Sequence, residues 1–251
     1  MESESRNVPC RLFVILAQEA PTGVIFRRGP SKWVQIIKWN TDTDIFEFGQ
    51  WFHGRIYEYD CDLSPDGTKL VYFALNYAKD IPGWTGVSKI PYLTALAFIA
   101  HGYALGGGLF LSNNEVRLKV GMDAIRGDRC PPELKITASW TPADVLAYRL
   151  RFKGWHEKPH PFQPLSLFSN LSHTLQNNRF IVKDNKRNLE IPLEGAIWAD
   201  WDKRGRLVYA KEGKLFTGEI NNLNQIQSTE IADFNANKPE RIITPEWAKV
   251  W

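Results

Sequence analysis

The feature that most constrains this chain is a strand–turn–strand unit, Asp62-Leu63-Ser64-Pro65-Asp66-Gly67-Thr68-Lys69, that runs straight into the β-rich stretch Leu70 to Leu75. Pro65 presets φ for the first turn position, Asp66 can hydrogen-bond its own backbone, and Gly67 supplies a positive φ. A turn of this chemistry followed by Leu, Val, Tyr and Phe predicts an antiparallel hairpin. The unit returns downstream as Asp200-Trp201-Asp202-Lys203-Arg204-Gly205-Arg206-Leu207-Val208-Tyr209-Ala210, which aligns on Asp62, Leu63 and Gly67. There the Ser-Pro-Asp trio has become Asp-Lys-Arg and one residue is missing after Gly205. A poorer echo spans Gly108 to Leu118, with Asn113-Asn114 as a two-residue turn that tolerates the left-handed region.

Much of the remaining chain reads the same way. Arg11 to Gln18 and Val24 to Arg28 are apolar runs of strand length on either side of the turn residues Pro21, Thr22 and Gly23. Trp33 to Trp39 alternates, with Trp33, Gln35, Ile37 and Trp39 on one side and Val34, Ile36 and Lys38 on the other, and Ile45 to Phe52 is its return strand. Leu207 to Lys211 turns at Glu212-Gly213 into Lys214 to Ile220. Self-similar hairpins at intervals are the mark of repeat architectures. The Asp62 and Asp200 units resemble the blade hairpins of TolB-like and WD40-like β-propeller repeats, in which Ser-Pro-Asp-Gly precedes an apolar strand; the likeness covers about a quarter of the chain at motif level. It implies an all-β, mostly antiparallel, β-propeller-like fold. At roughly 40–45 residues per blade that means about five irregular blades or an incomplete propeller. A β-sandwich built of similar hairpins is the alternative.

Three stretches depart from the pattern. Met122 to Pro132 and Lys158 to Pro164 read as loops, and Thr141 to Phe152 opens like a capped helix but alternates like a strand. Thr244-Pro245-Glu246 predicts a short C-terminal helix, with Trp247 and Trp251 on one face, that docks on a sheet edge and blunts it. Residues 1–9 read as a disordered tail and 10–251 as a single domain.

Composition narrows the function classes. The net charge of +3, with both signs interleaved, does not describe a polyphosphate binder, so nucleic acid is a possible partner but not a favoured one. Three widely spaced cysteines, Cys10, Cys61 and Cys130, form no CxxC pair and fit a reducing compartment without structural zinc. No apolar run approaches a membrane span and none resembles a signal peptide. The expectation is a protein of the bacterial cytoplasm.

No motif names a reaction, and no cofactor or catalytic group is assigned. His156 and His160 have metal-like spacing, but Pro159 disfavours the helix that would align them, so no metal site is assigned. Gly106-Gly107-Gly108 lacks the Lys-Ser/Thr of a phosphate loop and reads as the entry of a crowded strand. The leading expectation is a non-enzymatic interaction module that binds another protein through loop tips carrying Trp and Arg: Arg27, Arg28, Lys32 and Trp33 around Gly29-Pro30, and Trp84. The rival is a hydrolase at a channel mouth, with His53, Asp62, His101 and Asp200 as candidate catalytic residues. The plainer role for Asp62 and Asp200 is to bond turn amides.

Overall fold

The computed structural model describes residues 8–29, 32–76, 80–101, 106–119, 126–137, 153–172 and 177–251. The first sheet is the antiparallel meander β1 (Arg11–Leu16), β2 (Thr22–Arg28), β3 (Trp33–Asn40) and β4 (Ile45–His53). The second contains β5 (Arg55–Ile56), β6 (Asp62–Leu63), β7 (Lys69–Leu75), β8 (Gly83–Lys89) and β9 (Ala97–His101). The third begins with β10 (Gly108–Ser112) and β11 (Glu115–Leu118); β12 (Arg126–Arg129) returns to pair with β9, and β13 (Lys135–Thr137) pairs with β11 in parallel. The fourth is the meander β14 (His156–Pro159), β15 (Leu165–Asn170), β16 (Arg179–Asp184) and β17 (Leu189–Pro192). The fifth repeats that plan with β18 (Trp198–Trp201), β19 (Leu207–Lys211), β20 (Lys214–Ile220) and β21 (Ile226–Asp233). The fold is all-β and mostly antiparallel, and among the described residues no sheet closes into a barrel.

Four apolar cores join the sheets, and strand pleating decides which residue serves which core. On β2 and β3, Val24, Phe26, Val34 and Ile36 face the second sheet, where they meet Ile56, Leu63, Leu70, Tyr72 and Ala74. The intervening residues Ile25, Ile37 and Trp39 face the fifth sheet, against Trp198, Val208, Ala210 and Leu215. β7 divides likewise, because Val71 turns to Phe110, Val116 and Leu118 of the third sheet. On β19, Leu207 and Tyr209 pack with Leu167, Phe180 and Val182 of the fourth sheet. A strand buried on both faces reads as a continuous apolar run. This is why every residue of Lys69–Leu75 is buried. Large aromatics supply much of this area, and losing one such as Phe26 removes about 3–5 kcal/mol.

Polar clasps complete the meeting of the first and fifth sheets. Arg206 reaches Asp44 at 2.7 and 3.0 Å, Asp202 at 2.7 Å and the Thr41 carbonyl at 2.5 Å. Arg204 donates to the Asp42 carbonyl, and Lys203 to the Gln18 carbonyl. At the opposite end, buried Arg27 donates to the carbonyls of Phe234 (3.1 Å), Asn235 (3.2 Å) and Gly29. Asn235 in turn accepts from the Cys10 amide at 3.0 Å.

The expected C-terminal helix does not form. Residues Glu246–Ala248 make one 3-10 turn, entered from Pro245 without a side-chain cap. The hydroxyl of Thr244, the expected cap, is taken by Gln50 and Thr94. The two tryptophans are held separately instead. Trp247 lies edge-on to Tyr92 at 5.7 Å, and the Lys69 ammonium sits 4.9 Å from the Trp251 ring. The segment still covers an edge strand, since Gln50 on β4 donates to the Ile242 carbonyl and to Thr244. Two expected loops carry strands, β12 inside Met122 to Pro132 and β14 overlapping Lys158 to Pro164. Most of the expected tail and all of Thr141 to Phe152 lie outside the described residues. Among the described residues, no helix is long and apolar enough to cross a membrane.

Burial pushes the Asp44 carboxyl up, but hydrogen bonds from Arg206 and Trp39 outweigh it and hold the group below its ordinary value of 3.8. A depressed carboxyl stabilises the fold above the unfolded value and ceases to do so as pH falls through the folded one. Arg206→Gln is expected to cost about 1–3 kcal/mol at neutral pH, reduced from a fully buried pair by partial exposure. In urea titrations the gap between wild type and variant should narrow at pH values below 3.8; a gap independent of pH would show that Asp44 is not the partner that matters.

Candidate functional site

The two hairpin motifs form as expected, but their aspartates do different work. Asp62 pairs with Val71 and Asp200 with Val208, so the residue missing after Gly205 shortens the second turn by one. In the first turn the Ser64 hydroxyl accepts from the amides of Thr68 (3.2 Å) and Lys69 (2.9 Å) and donates to Asp66 at 2.6 Å; Asp66 also accepts from the Thr68 amide at 3.0 Å. In the second turn Asp202 alone takes the amides of Arg204 (3.0 Å) and Arg206 (2.8 Å). Gly67 has φ +70°, and a Cβ there would lie 2.7 Å from Thr22 Cβ. The turn tip is therefore clamped against the first sheet.

The turn amides are thus satisfied without Asp62 or Asp200, which corrects the plainer expectation for both. Asp62 reaches across to the third sheet, where its Oδ2 accepts from the Phe110 amide at 2.8 Å. Burial drives its pKa to about 6, against the pull of the Phe110 and Leu63 amides and of Lys119. Asp200 accepts from the Trp201 amide at 2.7 Å and pairs with Lys158 of the fourth sheet. Burial raises its pKa too, with Lys158 opposing.

The other candidate catalytic residues are His53 and His101. His53 is exposed and lies 4.7 Å from the Trp33 ring. His101 ends β9 opposite Gly83, and its side chain lies outside the described residues. His53, Asp62 and Asp200 each hold separate partners. His160 is committed to structure, since its Nδ1 accepts the amides of Phe162 and Gln163, both at 2.9 Å. Its Nε2 must then carry the proton that meets the Gly205 carbonyl at 2.7 Å.

The expected tip residues divide. Arg27 is 1% exposed and closes the first sheet onto the fifth, so it is not at a tip. Arg28 pairs with Glu58 at 2.9 Å. Lys32 is exposed, and half-buried Trp33 packs on His53 and on Trp51, at 4.7 and 6.4 Å. Trp84 lies within β8, not on a tip, between the rings of Phe52 and Phe98 at 5.6 and 6.0 Å. The glycine run is a close-approach device, because a Cβ on Gly107 would lie 1.8 Å from the Asp60 carbonyl oxygen. Burial, more than its acidic neighbours, pushes the Cys61 thiol well up.

Sequence reading missed a groove where the first, fourth and fifth sheets meet. One part, of about 420 Å³, is lined by Leu16, Ala17, Phe162, Lys158, Asp200 and Trp201. Another, of about 330 Å³, is lined by Phe13, Ile15, Tyr59, Leu167, Phe180 and Trp198, and the two share Leu16, Lys158 and Asp200. Tyr59 reaches the fourth sheet by accepting from Asn178 Nδ2 at 3.0 Å. No local motif announces this groove, because its walls come from strands more than a hundred residues apart.

No protein-family model matches the chain, and no curated protein does. Among solved structures it is similar to uncharacterized protein lmo1340 from Listeria monocytogenes EGD-e, at 10% identity and a TM-score of 0.33, over 88% of this chain and 62% of that one. It is also similar to the extracellular domain of the proposed one component system BT4673 from B. thetaiotaomicron, at 10% identity and a TM-score of 0.23, over 90% of this chain and 32% of that one. The chain thus spans less than two thirds of either protein, and at such scores neither likeness bears on function.

A carboxyl whose pKa is raised from 3.8 to about 6 makes the fold less stable as pH climbs through that interval. Asp62→Asn keeps an acceptor for the Phe110 amide and cannot ionise. Its stability relative to wild type should improve between pH 4 and pH 6 by at most about 3 kcal/mol, less whatever residual solvent screening removes. Parallel profiles for the two proteins in thermal unfolding across that range would refute the assignment.

Proposed function

We propose that the chain is a propeller-like interaction module of the bacterial cytoplasm, one domain over residues 10–251 with each sheet as a blade, that binds another protein. The observation that carries this reading is the order of sheet packing. The second sheet lies between the first and third, the first between the second and fifth, and the fifth between the first and fourth. Packing of the first sheet on the last is one of the contacts that a ring of blades taken in chain order requires. Such a ring presents loop rims and a central opening to partners.

Two surfaces suit a protein partner. The groove between the first, fourth and fifth sheets offers Phe162, 72% exposed, beside Trp201 and the Lys158–Asp200 pair. The rim offers Lys32 with Trp33, a cation beside an aromatic anchor. Both signs are interleaved on the surface, as in the pairs Lys38–Glu47, Lys183–Glu190 and Lys214–Glu230, which supports a protein partner over nucleic acid.

The test is affinity capture from the source cells with a nuclease-treated control, repeated with Phe162→Ala and with the double variant Lys32→Ala/Trp33→Ala. A stoichiometric protein should survive nuclease and fall about tenfold with at least one of the two, as anchor loss does at interfaces. Thermal unfolding of each variant separates lost contact from lost fold. Capture that disappears with nuclease, or is indifferent to both variants, would overturn the reading or its surfaces respectively.

A further inference from the structure

The register of the first two strands places Arg11 directly opposite Arg28. Two like charges facing each other across a strand pair destabilise it. Pleating puts both on the face that carries Phe13, Val24 and Phe26, while Arg27 points to the other side and closes the fifth sheet. Arg28 has one counter-charge, Glu58 at 2.9 Å, and both ends of that pair are largely buried. Arg55, exposed at the start of β5, lies 4.4 Å from the Tyr57 ring. Burial lowers the Arg11 pKa, and the Arg28 and Arg55 guanidiniums add to this while Glu58 opposes it.

Glu58 is thus ion-paired with Arg28 alone, and among the described residues the Arg11 side chain has no hydrogen-bonded partner. A neutral residue at position 11 would relieve the repulsion without breaking a hydrogen bond among the described residues. Beside the cluster, on the same face of β1, Phe13 lies edge-on to Tyr59 at 5.0 Å, and with Ile15 it lines the apolar part of the groove.

We propose that Arg11, Arg28 and Arg55 form a binding site for carboxylates of an acidic segment of a protein partner. This inference rests on the interaction-module reading and adds the chemistry of the partner. Guanidinium forks match carboxylates in bidentate geometry, and the forks of Arg11 and Arg55 are not committed to Glu58. The apolar side chains beside them suit a segment that sets an aliphatic or aromatic residue next to its Asp or Glu. A site held ready for charge from outside explains why the sheet carries the cost of Arg11 opposite Arg28.

The probe is a fluorescently labelled hexaglutamate peptide, followed by anisotropy at low ionic strength against the full chain, with hexaglutamine as control. Wild type should bind hexaglutamate and not hexaglutamine, and Arg11→Gln and Arg55→Gln should each weaken binding about tenfold, the scale of one lost charge-assisted contact. The melting temperature of Arg11→Gln should stay level or rise, which a structural role for Arg11 would reverse. The proposal falls if hexaglutamate does not bind, if both variants bind it as wild type does, or if Arg11→Gln melts lower. It also falls if a single-stranded oligonucleotide outcompetes hexaglutamate at this site. A cellular protein captured equally by wild type and Arg11→Gln would remove this site and leave the interaction-module reading standing.

Discussion

Burial of the first sheet on both faces is the constraint on which the rest of the molecule depends. One face of β2 and β3 packs on the second sheet and the other on the fifth, so residues two hundred positions apart share a core. Burying apolar area contributes roughly 25 cal/mol per Å², without directional preference. Direction comes from the pleat, which sends alternate side chains to opposite cores. The polar clasps then fix the register of that meeting. Arg27 holds the Phe234–Asn235 backbone at one end, and Arg206 holds Asp44 at the other. Buried arginines of this kind are tolerated because each satisfies several acceptors at once.

The same clasp logic explains why residues that look functional in sequence turn out to be structural. Arg27, His160 and Asp202 are polar residues among turns, the usual profile of a site. Each instead bonds backbone groups of its own turn or of a neighbouring sheet. Leaving such groups unsatisfied costs about 1–3 kcal/mol each. What remains for function is the polar surface that the fold does not consume: the Lys32–Trp33 rim, the groove around Lys158 and Asp200, and the arginines at the Arg11 end of β1.

Much of the fold was legible. The runs Arg11 to Gln18, Val24 to Arg28, Trp33 to Trp39 and Ile45 to Phe52 each hold a strand, and the alternation of Ile37 and Trp39 against Val34 and Ile36 matches their division between cores. The turns at Gly67, Asn113-Asn114 and Gly213 lie where turn chemistry puts them. The C-terminal helix was misread because Thr244, the expected cap, spends its hydroxyl on Gln50 and Thr94, which leaves the 3-10 turn without a side-chain cap. Trp84 was misread because Gly83 looks like a turn residue, whereas it opens a strand opposite Leu75.

By itself, then, the sequence determined where the chain turns and which strands pair with their neighbours, because those depend on φ preferences, on pleating and on residues a few positions apart. Only the tertiary structure decided which sheet lies on which, that Arg27 is a buried clasp, that Asp62 answers to Phe110 and Asp200 to Lys158, and that Arg11 is set opposite Arg28 near Arg55. Each of those is a meeting between segments distant in the chain. Local sequence sets the shape of each sheet, but the order in which sheets pack depends on shape complementarity and burial summed over the whole molecule.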